Sequence, residues 1–354
     1  MMPARIAATS PDEQLKEIIG SGPFRFVKEE WQPGNQAVYI RNPNYTPRNE
    51  APSGSTGGKK ALIDTVIWRY MPDHETAAAA LARGEVDWWE QPPLEFIPKI
   101  EQNAALRTSP LDSLGSQGVL RPNHGHPPFN NKKARQALLH MVDQVTYLHW
   151  AIGQAKYYQP CHSIFACRGP YATHAGADPM TKHDLDRARQ LVKESGYDGR
   201  PVVLLHVTDI SHQNGAATVT RRRLESIGFN VDDKAIDWST NLTIRARKEP
   251  PSQGGWNILH SWIDAVEAMN PVVNPHLSTS VYVGIPQIEK LVTDWVRATD
   301  QAKRKQVANE IQKVALDEVV YVPWGEWLMP TAFQKNVQGI LKFNAPLFWN
   351  VQIV

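Results

Sequence analysis

The stretch WNILHSWIDAVEAMNPVVNP, residues 256 to 275, holds two tryptophans and a short apolar run, followed by Asp264, Glu267 and an Asn270-Pro271 turn. A strand that empties into such a loop often delivers side chains to a ligand. A plain exposed connection is also rich in Asn and Pro, so both readings stand. Three other groupings could do chemistry. His124 and His126 in HGH could chelate a metal, but they precede Pro127-Pro128 with no acid or cysteine nearby in sequence, and a loop pair is the simpler reading. Asp87 and Glu90 in DWWE have the residue types for glycoside hydrolysis, yet on a strand three residues apart they face opposite sides. SGSTGGKK mimics a phosphate loop without the strand-loop-helix context, and reads as a surface turn.

Cys161 and Cys167 are the only cysteines, in the proline-flanked loop QPCHSIFACRGP. Their close spacing allows a disulfide, worth about 2 kcal/mol for so small a ring. Free thiols are the second reading, and a metal site with His162 the weakest, because the spacing matches no common zinc motif. No nucleophile elbow, metalloprotease motif or P-loop occurs in the sequence. Binding is therefore favoured over catalysis, with no metal or cofactor expected.

A formal net charge of +2 argues against nucleic acid as a partner, since phosphate binding needs a concentrated basic surface. The densest basic cluster, Arg221 to Arg223, falls in an amphipathic pattern and reads as a solvated helix face. No apolar run approaches the length of a membrane span. A chain of 354 residues exceeds one ordinary core and suggests two lobes. Its twelve tryptophans belong either to those cores or to a ligand-stacking surface.

The elements that must position these residues change character along the chain. GPFRFVKEEW, QAVYIRNPNY and DTVIWRYM read as strands, and the helix from Asp73 to Gly84 has a natural N-cap and stop. EVDWWE returns to strand. From NNKKARQALLHMVDQVTYL onward helices and strands alternate: a helix over DLDRARQLVKESG, a buried strand PVVLLHV, a helix AATVTRRRLESIG and a strand FNVDDKAIDW that ends at Trp238. Two amphipathic helices then lead to the strand-turn VVYVPWGEWLMP. Alternation of this kind predicts an α/β fold with a mixed or parallel sheet.

Taken in order, these blocks resemble a known family. GSGPFRFVKEEWQPGNQAVYIRNPNY is similar to the G-[ST]-G-P-[FY] loop and hairpin of the solute-binding proteins of peptide and nickel ABC importers, the dipeptide- and oligopeptide-binding family. IDTVIWRYMPDHETAAAALARGEVDW, PPFNNKKARQALLHMVD, DLDRARQLVKESGY, RRRLESIGFNVDDKAIDW and GGWN resemble later blocks of the same family, from about Gly20 to the C-terminus. The resemblance implies the two-lobed, type II-like periplasmic-binding-protein (Venus flytrap) fold, with a ligand closed between lobes. Residues 1–118 would be lobe I, 119–326 lobe II with a mixed sheet and helices, and 327–354 a return to lobe I, with crossings at VLRPN and VPWGEW.

Two departures from the family shape the expectations. The start shows no secretory signal and no counterpart to the family's long segment ahead of GSGPF, so lobe I is expected to be incomplete. Because the pattern and the cysteine pair point to an oxidising compartment, a periplasmic parent is expected all the same. In dipeptide-binding members an Asp holds the peptide amine and an Arg its carboxylate. Here Asp264 lies nearest the amine anchor, Asn270-Pro271 stands where the family has an acid-Pro pair, and HVTDISHQNG offers no Arg. A zwitterionic dipeptide is thus disfavoured against another peptide-like or small amphipathic solute. On this template Trp262 would be an aromatic wall, Asp264 a polar anchor and His260 a neighbour on the same strand face, with Asn123, Trp238, Trp324 and Asn270 completing the ligand-binding set. The expected protein is not an enzyme but the solute-binding component of an ABC importer, a monomer whose partners are the solute and a membrane permease. Rival readings are a chaperone-like or sensory binding protein on the same fold, and a hydrolase.

Overall fold

The computed structural model describes residues 3–9, 17–277 and 284–354. The chain packs as two compact units, Met1–Ser113 with Met329–Val354, and Leu114–Leu328. In the first, the short helix α1 (Ala4–Ala7) precedes an antiparallel sheet of β1 (Phe24–Gln32), β2 (Gln36–Arg41) and β3 (Thr65–Arg69). Its register is set by the rows Phe26–Tyr39–Val66 and Val27–Val38–Ile67. Asp73 caps α2 (His74–Arg83), its Oδ1 accepting from the Thr76 N–H at 2.7 Å. Gly84 ends the helix at φ 73°, a conformation that strains any residue with a Cβ. Next come β4 (Trp88–Trp89), α3 (Ile97–Glu101) and β5 (Leu106–Pro110). DWWE pairs as a strand only at its two tryptophans, and Pro92-Pro93 follow, which have no N–H for a ladder.

The second unit opens with β6 (Ser116–Pro122), which is buried almost along its whole length. The helical pattern after Asn130 forms two helices, α4 (Lys132–Met141) and α5 (Gln144–Ala151). Val142 between them is extended, and Asp143 caps α5 by accepting from the Val145 N–H and the Thr146 hydroxyl. The chain continues through β7 (Tyr158–Gln159), α6 (Asp178–Lys182), α7 (Leu185–Glu194), β8 (Val202–Val207), α8 (Ser211–Ile227), β9 (Val231–Ile236), α9 (Trp238–Ile244), β10 (Ile258–Asp264), α10 (Ala265–Ala268), α11 (Pro286–Arg297), α12 (Gln301–Glu318) and β11 (Val322–Trp327). The return to the first unit adds β12 (Pro330–Gln334), which pairs between β4 and β5, and the ladder of β13 (Val337–Gln338) with β14 (Gln352–Ile353).

Two boundaries differ from the sequence reading. α8 starts at Ser211 rather than at Ala216, so the second half of HVTDISHQNG is helical. Its start was hidden because Ile210, at the N-cap, makes no side-chain cap bond. Trp238 does not end a strand but opens α9, because Asp237 caps that helix through the Thr240 N–H at 2.9 Å.

Six strands of the second unit form one sheet in the order β7-β11-β6-β10-β8-β9. β8 runs parallel to β9 and β10, whereas β6 is antiparallel to β10 and to β11. β11 therefore runs the same way as β8, β9 and β10. α8 lays Ala216, Ala217, Thr220, Leu224 and Ile227 on one face of the sheet. On the other, Val203, Leu205, Trp256 and Leu259 form a core closed by Ile244 of α9. Burying each of these larger apolar side chains contributes about 1.5–3 kcal/mol, which holds the sheet between its two layers.

Candidate functional site: the carboxyl edge of the second-unit sheet

In open α/β sheets the carboxyl ends of parallel strands leave a crevice where ligands bind, because the connecting helices diverge from that edge. Here the carboxyl ends of β8, β9, β10 and β11 lie along one edge. Aromatic and polar side chains gather there. Trp262 and Asp264 come from the end of β10, Trp327 from the end of β11, His212 from the first turn of α8 and Trp238 from the first residue of α9. The Trp262 ring lies 5.0 Å from Trp238, tilted by 33°, and 5.2 Å edge-on from His212. His212 in turn lies 5.2 Å from Trp327. Trp238 and Trp262 are half-buried, and the Arg245 guanidinium stands over the Trp238 ring at 5.7 Å. Asp264 accepts from the Ser116 hydroxyl at 3.3 Å across the β6–β10 pair. Three residues on, the exposed Glu267 carboxyl is pushed up by desolvation and by the Asp264 charge.

Inward from this edge the same strand face is dry. His260, two residues before Trp262, shares its side as alternation requires. Its Nε2 lies 2.8 Å from Thr220 Oγ1, which is 2.8 Å from the Tyr147 hydroxyl. Burial holds the His260 imidazole down at about 3 and His212 at about 4, so both are neutral at physiological pH. Trp324 lies over Gly118 of β6, where an added Cβ would come within 1.9 Å of its ring, and stacks on Trp327 at 4.8 Å with an interplanar angle of 7°. Trp324 and His260 are therefore the buried backing of the aromatic wall, while Trp262 and Trp238 are the part that solvent reaches.

Two residues of the expected ligand-binding set are engaged by the backbone, and one of them, Asn123, lies at the far end of the strand. Asn123 follows the far end of β6, where its backbone pairs with Asn257, seven residues of strand away from Asp264. Its carboxamide donates to the Trp256 carbonyl and accepts from the Gly125 N–H. Asn270 accepts from the Val272 N–H and shapes the turn after α10. His124 and His126 are each engaged by a backbone carbonyl, of Val319 and of Lys248. Asp87 is exposed, while the half-buried Glu90 carboxyl is pushed up by desolvation. Cys161 and Cys167 are bonded to each other, with sulfur atoms 2.02 Å apart. Among the described residues, the one grouping with metal-ligand geometry consists of these two cysteines and Glu326. Their sulfur atoms are committed to the disulfide, and Glu326 accepts from the Cys167 N–H at 2.6 Å.

Sequence reasoning missed His212, Trp327 and Arg245. The only available signal for His212 was its place between two apolar runs, and the missing N-cap concealed the helix that orients it.

The geometry defines a class of α/β protein built from two units, the second of which carries an aromatic and acidic edge at the carboxyl ends of its parallel strands. Residues 2–278 match the profile of the bacterial extracellular solute-binding proteins, family 5 (middle region). A probable peptide ABC transporter periplasmic-binding protein of Sinorhizobium fredii is 35% identical over 369 residues, covering 99% of this chain and 68% of the relative. The periplasmic binding protein DppA of Helicobacter pylori, solved with a bound peptide, superposes with a TM-score of 0.75 at 19% identity, covering 94% of this chain and 63% of that one. A binding protein of Agrobacterium tumefaciens, solved with agropinic acid, gives 0.73 at 21%, covering 94% and 67%. The chain thus spans about two thirds of the length of these relatives. It belongs to the family 5 solute-binding proteins, the periplasmic solute-binding components of ABC importers, which are a family of binding proteins and not of enzymes.

Proposed function

We propose that the chain captures a peptide-like or other small amphipathic organic solute at the carboxyl edge of β8–β11 and presents it to a membrane permease, without turning it over. In this reading Leu114–Leu328 is lobe II, and the remaining residues are lobe I. The observation that carries the proposal is the half-buried pair Trp238–Trp262 beside Asp264, at the carboxyl ends of the parallel strands. Indole faces bind the apolar and amide surfaces of a small solute, and a carboxylate orients its polar end. Asp264 and Glu267 make that end of the site acidic and favour an amine or another donor there. The absence of arginine from residues 206–215 supports a solute other than a plain zwitterionic dipeptide.

Mass spectrometry of small molecules released from the purified protein tests the capture, with Trp262→Ala as the control. A solute present in wild type and depleted in the variant is the expected result. Equal amounts in both would move the site away from this edge. Sedimentation velocity on the same sample tests the monomeric state, and incubation of the recovered solute with protein tests for turnover, expected to be nil.

A further inference from the structure

We propose that this edge recognises an uncharged hydrogen-bonding group of the solute, an amide or carboxamide, through the side chains of Gln213 and Asn241; the proposal rests on the solute-binding reading above. Both residues are fully buried, at 0% exposure. Neither the oxygen nor the nitrogen of either carboxamide has a hydrogen-bond partner among the described residues. A buried amide left unpaired on both atoms is unfavourable, so each calls for a partner, and a bound solute can supply it.

Their positions tie them to the aromatic edge. Gln213 follows His212 in the first turn of α8 and lies seven residues before Thr220, on the same helix face. Two helical turns span about 11 Å. Since Thr220 meets His260 in the body of β10, this offset carries Gln213 toward the carboxyl end of the strands. Asn241 lies one turn into α9, after Trp238. The first-turn rings of these two helices, His212 and Trp238, both pack on Trp262. In the proposed site the half-buried indoles would be the part solvent reaches and the two fully buried carboxamides, one from each helix, its inner part.

The chemistry of the set selects the ligand class. His212 Nε2, His260 Nδ1 and Trp324 Nε1 are also buried without a partner. Carboxamides and indole carry no charge, and both imidazoles are held neutral by burial. Neutral donors and acceptors together match an amide, which offers one of each. An ionised carboxylate placed against these neutral groups would lose its water, while the Arg245 guanidinium at this edge is engaged over the Trp238 ring.

Two measurements test the proposal. In the first, Gln213→Met and Asn241→Leu are melted without added solute. Removal of an unpaired buried carboxamide is expected to raise Tm, by about 2–4 °C. In the second, tryptophan fluorescence follows titration with the tripeptide Ala-Phe-Ala and with its N-acetylated, C-amidated form. The capped peptide is expected to bind wild type at least as tightly as the free one, and at least tenfold more weakly to Gln213→Met. A lower Tm in both variants would show that the carboxamides serve the fold, and would overturn the proposal. So would a tenfold preference for the free peptide that Gln213→Met leaves unchanged, although that result would keep the solute-binding reading. Failure of either peptide to bind wild type would overturn the peptide-like reading and this proposal together.

Discussion

Trp262 packs against two rings yet remains half-buried, unlike Trp324 and Trp327 behind it, which are closed off from solvent. In the proposed function, that difference separates the binding surface from its support. Replacement of Trp262 by Ala is expected to weaken solute binding by roughly thirtyfold, about 2 kcal/mol, as for a central aromatic anchor. Calorimetric titration with the recovered solute checks this. Buried histidines set a second expectation. His124 and His212 are held at about 4, His260 and His276 at about 3, each chiefly by desolvation. When pH falls below the ordinary value near 6.5, the unfolded chain takes up these protons first. Stability is therefore complete above about pH 6.5 and declines toward pH 3, by at most about 1.4 kcal/mol per pH unit for each histidine. Thermal melts from pH 7.5 to 4.5 should show that fall, and His260→Gln should make it shallower. A flat profile in wild type would contradict the neutral, buried assignment.

At the scale of the element, the carboxyl edge depends on how closely β6 and β11 approach. Gly118 gives Trp324 its seat, and the register shift between Pro323 and Gly325 fits the bulky residue into the β11–β6 ladder. Gly118→Ala would drive a methyl group into the indole. It is expected to cost about 1–3 kcal/mol or more by overpacking, and to shift tryptophan emission through the Trp324–Trp327 stack. An unchanged melting temperature and spectrum would show that the strands yield more easily than this contact implies. Helix starts are the other determinant. Asp237 places Trp238 by capping α9, whereas α8 begins without a side-chain cap and still brings His212 to Trp262. Packing against the sheet, rather than local propensity, holds that first turn.

For the molecule as a whole, the Cys161–Cys167 bond ties a loop to β11 through Glu326, whose carboxylate also takes the Gln159 amide and the Arg168 guanidinium. Closure of so short a loop limits its entropic effect, so reduction is expected to cost about 2 kcal/mol. Intact-mass analysis should find no alkylable thiol before reduction, and the reduced protein should melt lower without unfolding at room temperature. Much of this architecture was legible in the residues themselves. Asp73 and Gly84 marked α2, the continuous apolar run PVVLLHV marked β8, and the ordered blocks from GSGPF to GGWN carried the family. Such signals are local, because caps, turns and periodicity act within a few residues. Alternation alone also put His260, Trp262 and Asp264 on one face of β10. The company these residues keep was not legible. The sequence puts Trp238 at a strand end and Asn123 with residues seven strand positions away, and gives His212, Trp327, Gln213 and Asn241 no distinguishing mark. Strand order and direction, β11-β6-β10-β8-β9 with four carboxyl ends on one edge, decide which side chains meet there. Those depend on pairing between segments far apart in the chain, and no periodicity within a segment specifies its partners.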